Sequence, residues 1–453
     1  MLLAGEPVYG VNTGMGALSH VRLTEAEQRE HQRNLLVGRA AGGPPWLPRA
    51  DVRAIFAVRL RTLLSGDAGV SAGLCQRLTD FLAADVVPAV PRDAAGSAGE
   101  IVQLAHAFGP LVGIGHVVRP DGTTQPAAAA LRAHGLTEFV LGPKEGIALL
   151  AGVPGATALS LLAEAEARTV TAMLTAAAGL SIAAIRAPAD PYTEACGRGD
   201  EVLARVLGQL RGLIGPEAQP GMLQAPVSFR VAGPVLAQLG RATDALAAAV
   251  RRALAGVTDS PAFIAGRFVG TAGFHGIDLA AHCDQLTSAV AHAAEVAAAR
   301  THRMLDPRVT RLTAQLAARP GPAAGLVTVH KRAVGEVHAL RRLALPASIG
   351  LIETSGGQED VQSFAWEAAI NLQAGLRRAR AVAACEVLTA FQAATLQAAT
   401  LLAATPSGPP WQPATGALLA SLAKVVDAVE ADRPLGEDIE RLATGSWLPQ
   451  ARA

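Results

Sequence analysis

Five long stretches rich in alanine and leucine constrain what this chain can fold into more than any other feature of its sequence. Polar residues recur in them every three or four positions and strand-like alternation is scarce, a pattern that is typical of helices. Several stretches exceed the length of about 8–20 residues that is usual for a globular helix. They cover residues 156–185, 235–256, 277–304, 365–404 and 414–431.

Glycine and proline are distributed unevenly along the chain, being dense in residues 1–155 and again around 186–235. The sequence therefore predicts a mainly α fold with two regions in one continuous structural unit. A loop-rich N-terminal region, residues 1–155, leads into a long-helix bundle with C-terminal helices, residues 156–453. Because helix ends and connecting loops form pockets, and helix N-termini favour anions, we expect the chemistry in the glycine-rich loops.

Charge and cysteine content exclude several classes of protein. The 39 Lys and Arg residues are balanced by 38 Asp and Glu, and a net charge of +1 provides no field to attract nucleic acid or an anionic membrane. The cysteines lie far apart without a CxxC pair, which argues against a disulfide scaffold and fits a reducing compartment. They are Cys75, Cys196, Cys283 and Cys385. The first residues carry no secretory pattern, so we expect a cytoplasmic protein.

Two uncharged segments raise the question of a membrane protein, as does a mean hydropathy of +0.30. These segments, residues 169–185 and 387–405, are interrupted by small or polar residues such as Thr, Ser, Gly and Gln. A spanning helix needs about 20 predominantly apolar residues. We therefore expect both segments to be helices buried inside a bundle, and no membrane partner.

The histidines give no metal-binding pattern. His275, His282 and Cys283 lack a standard zinc spacing, so packed structural histidines are the expectation and no metal is assigned.

Four loop-like segments hold the residues that are best suited to chemistry, and the first two lie near the N-terminus. Residues 8–16 place Tyr9 among three glycines, which let backbone approach a ligand closely, although a surface turn with one packed tyrosine fits equally. Residues 93–100 precede an apolar helix, so Ser97 is a candidate N-cap.

The other two segments carry charged candidates. Arg230, in residues 224–230, has an apolar neighbourhood, where arginine pairs with a carboxylate of either the protein or a ligand. Residues 354–360 hold Glu359 and Asp360 after a glycine pair. These acids fit the start of a helix, or alternatively a general base or a group that binds ammonium.

Six motifs occur in one collinear order and span nearly the whole chain: residues 9–16 (YGVNTGMG), 32–36 (QRNLL), 141–150 (LGPKEGIALL), 224–230 (QAPVSFR), 274–276 (FHG) and 358–360 (QED). In this order they resemble the aromatic amino acid ammonia-lyase family, which includes histidine, phenylalanine and tyrosine ammonia-lyases and aminomutases. Part of the N-terminal segment that usually precedes the tyrosine motif is expected to be missing.

The resemblance implies a mostly helical fold with a central long-helix bundle, and a homotetramer whose active sites each combine residues from three subunits. In the family an Ala-Ser-Gly tripeptide cyclises and dehydrates to methylidene-imidazolone, the electrophile that enables loss of ammonia. No added cofactor or metal is needed.

The chain departs from the family at this tripeptide. The family pattern is Gly-Ala-Ser-Gly-Asp, whereas residues 96–100 are GSAGE. Ala98 has no hydroxyl to lose, and a shifted register would make the Ala98 nitrogen close the ring without the conformational freedom of glycine. Ser97, Ala98 and Gly99 therefore mark a degenerate position, and the prediction is that methylidene-imidazolone, and with it any cofactor, is absent.

Three further departures accompany that one. Ala151 stands where the family has an asparagine that bonds the imidazolone oxygen, and Val227 stands where it has a tyrosine before Ser-Leu-Arg. Arg39 occupies a position that often holds a histidine.

The retained residues suggest binding and proton transfer. By resemblance, Tyr9 matches the catalytic base, Arg230 binds the substrate carboxylate, and Glu359 lies near the substrate amino group as a second catalytic candidate. Gln224 and Phe274 match pocket positions, and Asn12 is a further substrate-binding candidate.

Arg39 is given a role by hypothesis. A phenol ordinarily titrates near pH 10, too high for an efficient base at neutral pH, and a nearby cation favours the phenolate. We expect Arg39 to supply that cation to Tyr9 and to bind a second anionic group of the substrate. An ordinary surface ion pair is the alternative.

Three hypotheses follow for function. The first is an enzyme that lacks the electrophile. It would move a proton in an elimination, addition, isomerisation or cyclisation of a small amino-acid-derived or aryl carboxylate. Such a substrate must carry its own activation. The second is a non-catalytic family member that serves as a scaffold or ligand-binding subunit. The third is a conventional aromatic amino acid ammonia-lyase with an unusual prosthetic group.

Overall fold

The structure is a computed structural model that describes residues 5–215, 220–404 and 411–449, without the side chains of residues 401–404. It is mostly helical, which confirms the predicted mainly α fold. In chain order the helices in the described residues are α1 (Glu25–Val37), α2 (Arg49–Leu63), α3 (Ala72–Ala83), α4 (Ile101–Phe108), α5 (Ala127–Ala133), α6 (Glu145–Leu150), α7 (Pro154–Ala184), α8 (Glu201–Ile214), α9 (Val227–Arg230), α10 (Ala232–Ala255), α11 (Ile277–Met304), α12 (Pro307–Thr310), α13 (Val327–Leu343), α14 (Ala365–Ala404), α15 (Pro413–Leu422) and α16 (Gly436–Ala443).

The chain forms two compact units, each assembled from separate segments of sequence. The first unit comprises Met1–Ala163, Leu246–Asp284 and Pro346–Asn371, and the second comprises Glu164–Ala245, Gln285–Leu345 and Leu372–Ala453. A division of the chain near residue 155 stays a prediction.

Four of the five predicted long helices are present as α7, α10, α11 and α14. The prediction for residues 414–431 is wrong beyond Leu422, where α15 ends. The reason is tertiary: the Gln392 amide donates to the Val429 carbonyl at 3.0 Å and accepts from its N–H at 2.8 Å. This pair of bonds holds the chain at Val429 in a non-helical conformation.

The strands in the part of the chain that the structure describes are short and form two antiparallel pairs. β1 (His116–Val118) pairs with β2 (Thr124–Pro126), with Val117 opposite Gln125. β3 (Ala262–Ile264) pairs with β4 (Arg267–Val269), with Phe263 opposite Phe268. All four strands belong to the first unit.

Helix starts in the first unit follow from local sequence. Thr24 and Glu27 form a capping box at α1, in which the Glu27 carboxylate accepts from the Thr24 N–H at 2.7 Å.

The core of this unit includes a cluster of aromatic rings, with the Phe56 centroid 5.9 Å from that of Phe81 and 5.1 Å from that of Phe108.

Within the described residues, two helical segments are long and apolar enough to cross a membrane by length and composition alone. These are Glu145–Ala184 and Ala365–Thr400, and in each of them 83% of an apolar stretch of 18 residues is buried inside the structure. Burial of that extent is typical of core helices, as the sequence predicts. Thr405, at the end of the uncharged segment, lies outside the described residues.

Candidate active site

A cavity of about 450 Å³ in the first unit brings together candidates from distant parts of the sequence. Tyr9, Ala98, Gly99, Phe274 and Glu359 all line it. The rest of the wall is mainly apolar and includes Val8, Met15, Ile101, Ile147, Leu150 and Pro261. Such a lining, with a few polar groups, suits a small ligand with an apolar body.

The loop that carries Tyr9 is fixed by its own backbone and by Asn12. The Asn12 amide accepts from the Val8 N–H at 2.7 Å and donates to the Glu6 carbonyl at 2.8 Å. Gly10 has a φ of +68°, and a Cβ there would lie 2.4 Å from Ile147. Only glycine fits this turn. The substrate-binding role of Asn12 stays a prediction, since these two bonds hold the loop itself.

Gln32 connects the tyrosine loop to α6, a role that the sequence analysis did not assign. Its side chain is fully buried and donates to the Gly10 carbonyl at 3.0 Å, while its oxygen accepts from the Ile147 N–H at 3.0 Å. α6 approaches α1 so closely that a Cβ at Gly146 would meet the Gln32 carbonyl at 2.2 Å. A signal for this role existed, because Gln32 and Gln28 share the buried face of α1 with Leu35 and Leu36.

Tyr9 presents its phenol to the cavity. Its hydroxyl oxygen accepts a hydrogen bond from the Gly16 N–H at 2.9 Å, and 39% of the residue is exposed. The side chain is therefore partly open to the cavity instead of being packed into the core.

Glu359 joins the degenerate loop to the other side of the cavity. Its Oε2 accepts from the Ala98 N–H at 2.9 Å and from the Thr354 hydroxyl at 3.2 Å. The residue belongs to a turn closed by paired backbone bonds to Thr354, and α14 begins only at Ala365. The expectation that Glu359 and Asp360 start a helix is therefore wrong. Glu359 lines the cavity instead.

The degenerate loop ends at α4, whose N-cap position is Glu100, so the prediction that Ser97 is the N-cap is wrong. Ser97 still contacts the helix start: its hydroxyl donates to the Gly99 carbonyl at 3.0 Å and accepts from the Ile101 N–H at 3.2 Å. The Glu100 side chain does not cap α4, because its carboxylate bonds to the first turn of α7.

Glu100 caps α7 and is the main functional residue that the sequence analysis missed. It is buried, and its carboxylate accepts from the Gly155 N–H at 2.7 Å and the Ala156 N–H at 2.5 Å. Burial raises the pKa of Glu100 to about 7, against the effect of the two backbone donors and of Arg59. The buried Arg59 donates to the Ala151 carbonyl, and burial lowers its pKa to about 10.

A second buried pair supports the same region. Lys144 Nζ lies 2.6 Å from Asp259 Oδ2, and both side chains are more than nine-tenths buried. Burial lowers the pKa of Lys144 and raises that of Asp259, while their mutual attraction acts in the opposite direction on each. Asp259 directly precedes Ser260 and Pro261, which line the cavity, so this buried ion pair lies next to the cavity wall in sequence.

Arg39 is half-buried beside the cavity. Its Nη2 lies 3.7 Å from the sulfur of Met15, a residue that lines the cavity. Burial lowers the pKa of Arg39, and its electrostatic interactions with Tyr9 and Glu359 oppose that effect. Among the described residues no carboxylate lies within salt-bridge distance of Arg39, so the alternative of an ordinary ion pair finds no partner there.

Arg230 and Gln224 lie together in the second unit. With the Gln224 amide oxygen turned to the guanidinium, it accepts from Arg230 Nη1 and Nη2 at 3.1 and 3.2 Å. In the described part of the chain Arg230 has no carboxylate partner within 4.0 Å. The neutral Gln224 amide thus contacts the two guanidinium nitrogens of Arg230 with which a carboxylate would form paired hydrogen bonds.

The residues at the degenerate loop do not fit the family's prosthetic group. In the family register Ala98 lacks a hydroxyl to lose. In the shifted register the Ser97 hydroxyl is bonded on both sides, and the Ala98 N–H donates to Glu359. Ala151 also lacks the amide that would bond an imidazolone oxygen. Within residues 5–215, 220–404 and 411–449 no group of three or more His, Cys, Asp or Glu could share a metal ion.

Comparison with known proteins decides the family. A sequence model of the aromatic amino acid lyase family matches residues 1–424. The chain belongs to this family. Histidine ammonia-lyase of Streptomyces coelicolor is 35% identical over 407 residues, covering 86% of this chain and 79% of the relative. Histidine ammonia-lyase of Streptomyces griseus is 34% identical over 449 residues, covering 96% and 86%.

Solved structures agree with this assignment. Ergothionase from Treponema denticola superposes with a TM-score of 0.88 at 25% identity, covering 98% of this chain and 89% of that one. Tyrosine aminomutase from Streptomyces globisporus gives a TM-score of 0.89 at 26% identity, covering 98% and 88%. The predicted family, the fold and a lyase-type enzyme are thereby confirmed. The roles of individual site residues stay predictions.

Proposed function

We propose that this member of the ammonia-lyase family acts without methylidene-imidazolone, on a small amino-acid-derived or aryl carboxylate that carries its own activation. The observation that supports this is the bonding at the degenerate loop. The atoms that would have to react, the Ser97 hydroxyl and the Ala98 N–H, hold the loop to α4 and to Glu359.

Within this proposal Tyr9 transfers the proton. It lines the cavity, and its phenol oxygen accepts from the Gly16 N–H, so the backbone of its own loop helps to position it. Removal of a proton from an unactivated amino acid faces a large barrier without an electrophile. A conjugated acid, a carbonyl or a better leaving group on the substrate would lower that barrier.

Arg230 binds the substrate carboxylate in this proposal, with Gln224 as its neutral partner in the free protein. The motif match assigns this role, and the absence of a carboxylate partner among the described residues supports it. As in the homotetramer that the family resemblance implies, residues of different subunits would complete each site.

The substrate body is apolar and carries a second anion. Apolar side chains form most of the cavity wall, which suits an aryl ring. Arg39, half-buried beside that wall, would bind an anionic group at the far end of the substrate. Among relatives, histidine ammonia-lyase is named for histidine, and ergothionase is described as degrading ergothioneine.

Intact mass spectrometry of the purified protein tests the proposal. Closing the ring and dehydrating the serine removes two water molecules, so we expect the wild-type mass to equal that of its sequence. The Ser97→Ala variant, which cannot dehydrate, is the control and should also match its sequence. A wild-type mass short by two waters, restored in the variant, would falsify the proposal.

Conventional deamination is the second candidate, favoured by the identity with histidine ammonia-lyases. It predicts ammonia release from histidine by the wild type and none by Ser97→Ala. Equal behaviour of the two proteins would exclude it.

A further inference from the structure

The helix turn that carries Arg230 is too short to fix its own direction. α9 contains four residues, Val227–Arg230, and a single turn has few internal hydrogen bonds to orient it. Its C-cap residue, Val231, precedes α10 directly. The direction of the Arg230 side chain therefore depends on what holds the backbone of α9.

One contact that fixes the backbone of α9 comes from Tyr192, at the end of a short 3-10 helix. Its hydroxyl donates to the Phe229 carbonyl at 2.9 Å, and both residues are fully buried. Burial raises the pKa of Tyr192, so the hydroxyl keeps its proton and remains a donor across the ordinary pH range.

A second hold comes from Arg300 on α11. Its Nη1 donates to the Ser228 carbonyl at 3.2 Å, and its Nε and Nη2 donate to the two oxygens of Glu386 on α14 at 2.5 and 2.9 Å. The Ser181 hydroxyl, on α7, donates to the same carboxylate at 2.8 Å. The Arg300 guanidinium is thus bonded to a carboxylate that α7 also holds, and all of these groups belong to the second unit.

Stability alone does not explain this buried ion pair. The Arg300 and Glu386 side chains are 3% and 0% exposed. A buried ion pair adds little net stability compared with apolar residues of similar volume. The planar guanidinium of Arg300 nevertheless holds its Nη1 in a fixed direction. That nitrogen donates to the carbonyl of Ser228, two residues before Arg230.

We infer that Tyr192 and the Arg300–Glu386 pair are positioning residues for Arg230. Together they hold the two consecutive carbonyls, of Ser228 and Phe229, that precede it, and so aim its guanidinium at a carboxylate. This inference rests on the proposed carboxylate-binding role of Arg230. A displacement of about 1 Å is enough to weaken an oriented interaction strongly.

Binding of 3-phenylpropanoate and of its neutral amide, 3-phenylpropanamide, tests the inference by calorimetry on the full-length protein. Tyr192→Phe removes one hydroxyl and keeps the ring, so it should fold. We expect it to weaken carboxylate binding by about threefold to tenfold, the effect of one lost hydrogen bond, and to leave amide binding unchanged. Arg300→Lys, which keeps the charge and loses the fork, should act in the same direction.

The matched control is Ser421→Ala. It removes a hydroxyl that donates to the Trp447 carbonyl at 2.8 Å, also in the second unit. It should leave the ratio of carboxylate to amide affinity unchanged. If Tyr192→Phe and Ser421→Ala give the same ratio, and crystal structures show the Arg230 guanidinium in one place in both, the inference is wrong.

Failure of the proposed function has a different signature. Arg230→Met should abolish the preference for carboxylate over amide. A wild-type protein that binds the two probes equally, or binds neither, contradicts the carboxylate-binding role of Arg230 itself.

Discussion

Arg39 is a half-buried guanidinium without a carboxylate partner in the described residues, next to a cavity that already holds two acidic groups, Tyr9 and Glu359. Desolvating a cation is costly, so a site that keeps one without a permanent ion pair is suited to an anionic ligand. The charge of Arg39 would then bind the far end of a substrate.

We predict that Arg39→Met weakens binding of 4-(2-carboxyethyl)benzoate by about tenfold, the value of one charge-assisted hydrogen bond. Binding of 3-phenylpropanoate, which lacks the second carboxylate, should change little. Calorimetric titration of both ligands measures the difference, and Arg39→Lys should retain part of the affinity. An equal loss for both ligands would show that Arg39 acts on the fold of the cavity instead.

Individual residues also show how far the sequence could predict the site. The motifs placed Tyr9, Phe274 and Glu359 in one collinear pattern, and the structure brings these three around one cavity. The burial of Gln32 could be predicted from its place on the apolar face of α1, but its partners and those of Glu100 could not, because these bonds join segments that are distant in sequence.

At the scale of elements, the link between α4 and α7 is a single carboxylate. Glu100, at the N-cap position of α4, accepts from the first turn of α7, where the helix dipole favours an anion. Its burial nevertheless raises its pKa to about 7, so the protonated form is favoured in the folded protein relative to the unfolded chain.

This gives a prediction with a definite sign. Between pH 4.5, the ordinary value, and about 7, the folded protein retains a proton on Glu100 that the unfolded chain releases, so stability falls as pH rises. Relative to Glu100→Gln, the free energy of unfolding of the wild type should decrease by roughly 3 kcal/mol across this window. Chemical denaturation at several pH values measures it.

Glu27 provides a control of opposite sign. Bonds from Thr24 lower the pKa of Glu27, so its stabilising effect is lost as pH falls. Relative to Glu27→Gln, the wild type should therefore gain stability as pH rises. If the Glu100 comparison shows no pH dependence while the Glu27 comparison does, the carboxylate of Glu100 is charged throughout and the prediction is wrong.

Helix boundaries show the same limit of sequence reasoning at this scale. The ends of α11 and α14 match their predicted ranges, because long runs of alanine and leucine carry a clear period. The last predicted helix continued past Leu422 because residues 423–431 have no proline or glycine to stop it. The non-helical backbone at Val429 is held by Gln392, which lies on another helix.

At the scale of the whole molecule, the first unit exposes a cluster of large aliphatic side chains. Ile349, Leu351 and Ile352 are 76%, 68% and 66% exposed, and they precede Glu359 on the same segment. Single exposed aliphatic residues are ordinary on a protein surface, whereas several within four positions favour a surface that another chain covers. A second copy of this chain is the partner that the family resemblance implies.

We therefore predict that the protein is a homotetramer, with a particle mass four times the 46.2 kDa of one chain, and that this segment lies in an interface. Replacing Ile349 and Ile352 with lysine would place two cations in that interface and should lower the particle mass, as measured by sedimentation velocity at micromolar concentration. The control, Leu64→Lys, changes a residue at the end of α2 that is 64% exposed. A wild-type particle of one chain refutes the assembly. A tetramer that survives the double replacement, with the control equally intact, places the interface elsewhere, because two buried like charges at every contact would cost more than such an interface can supply.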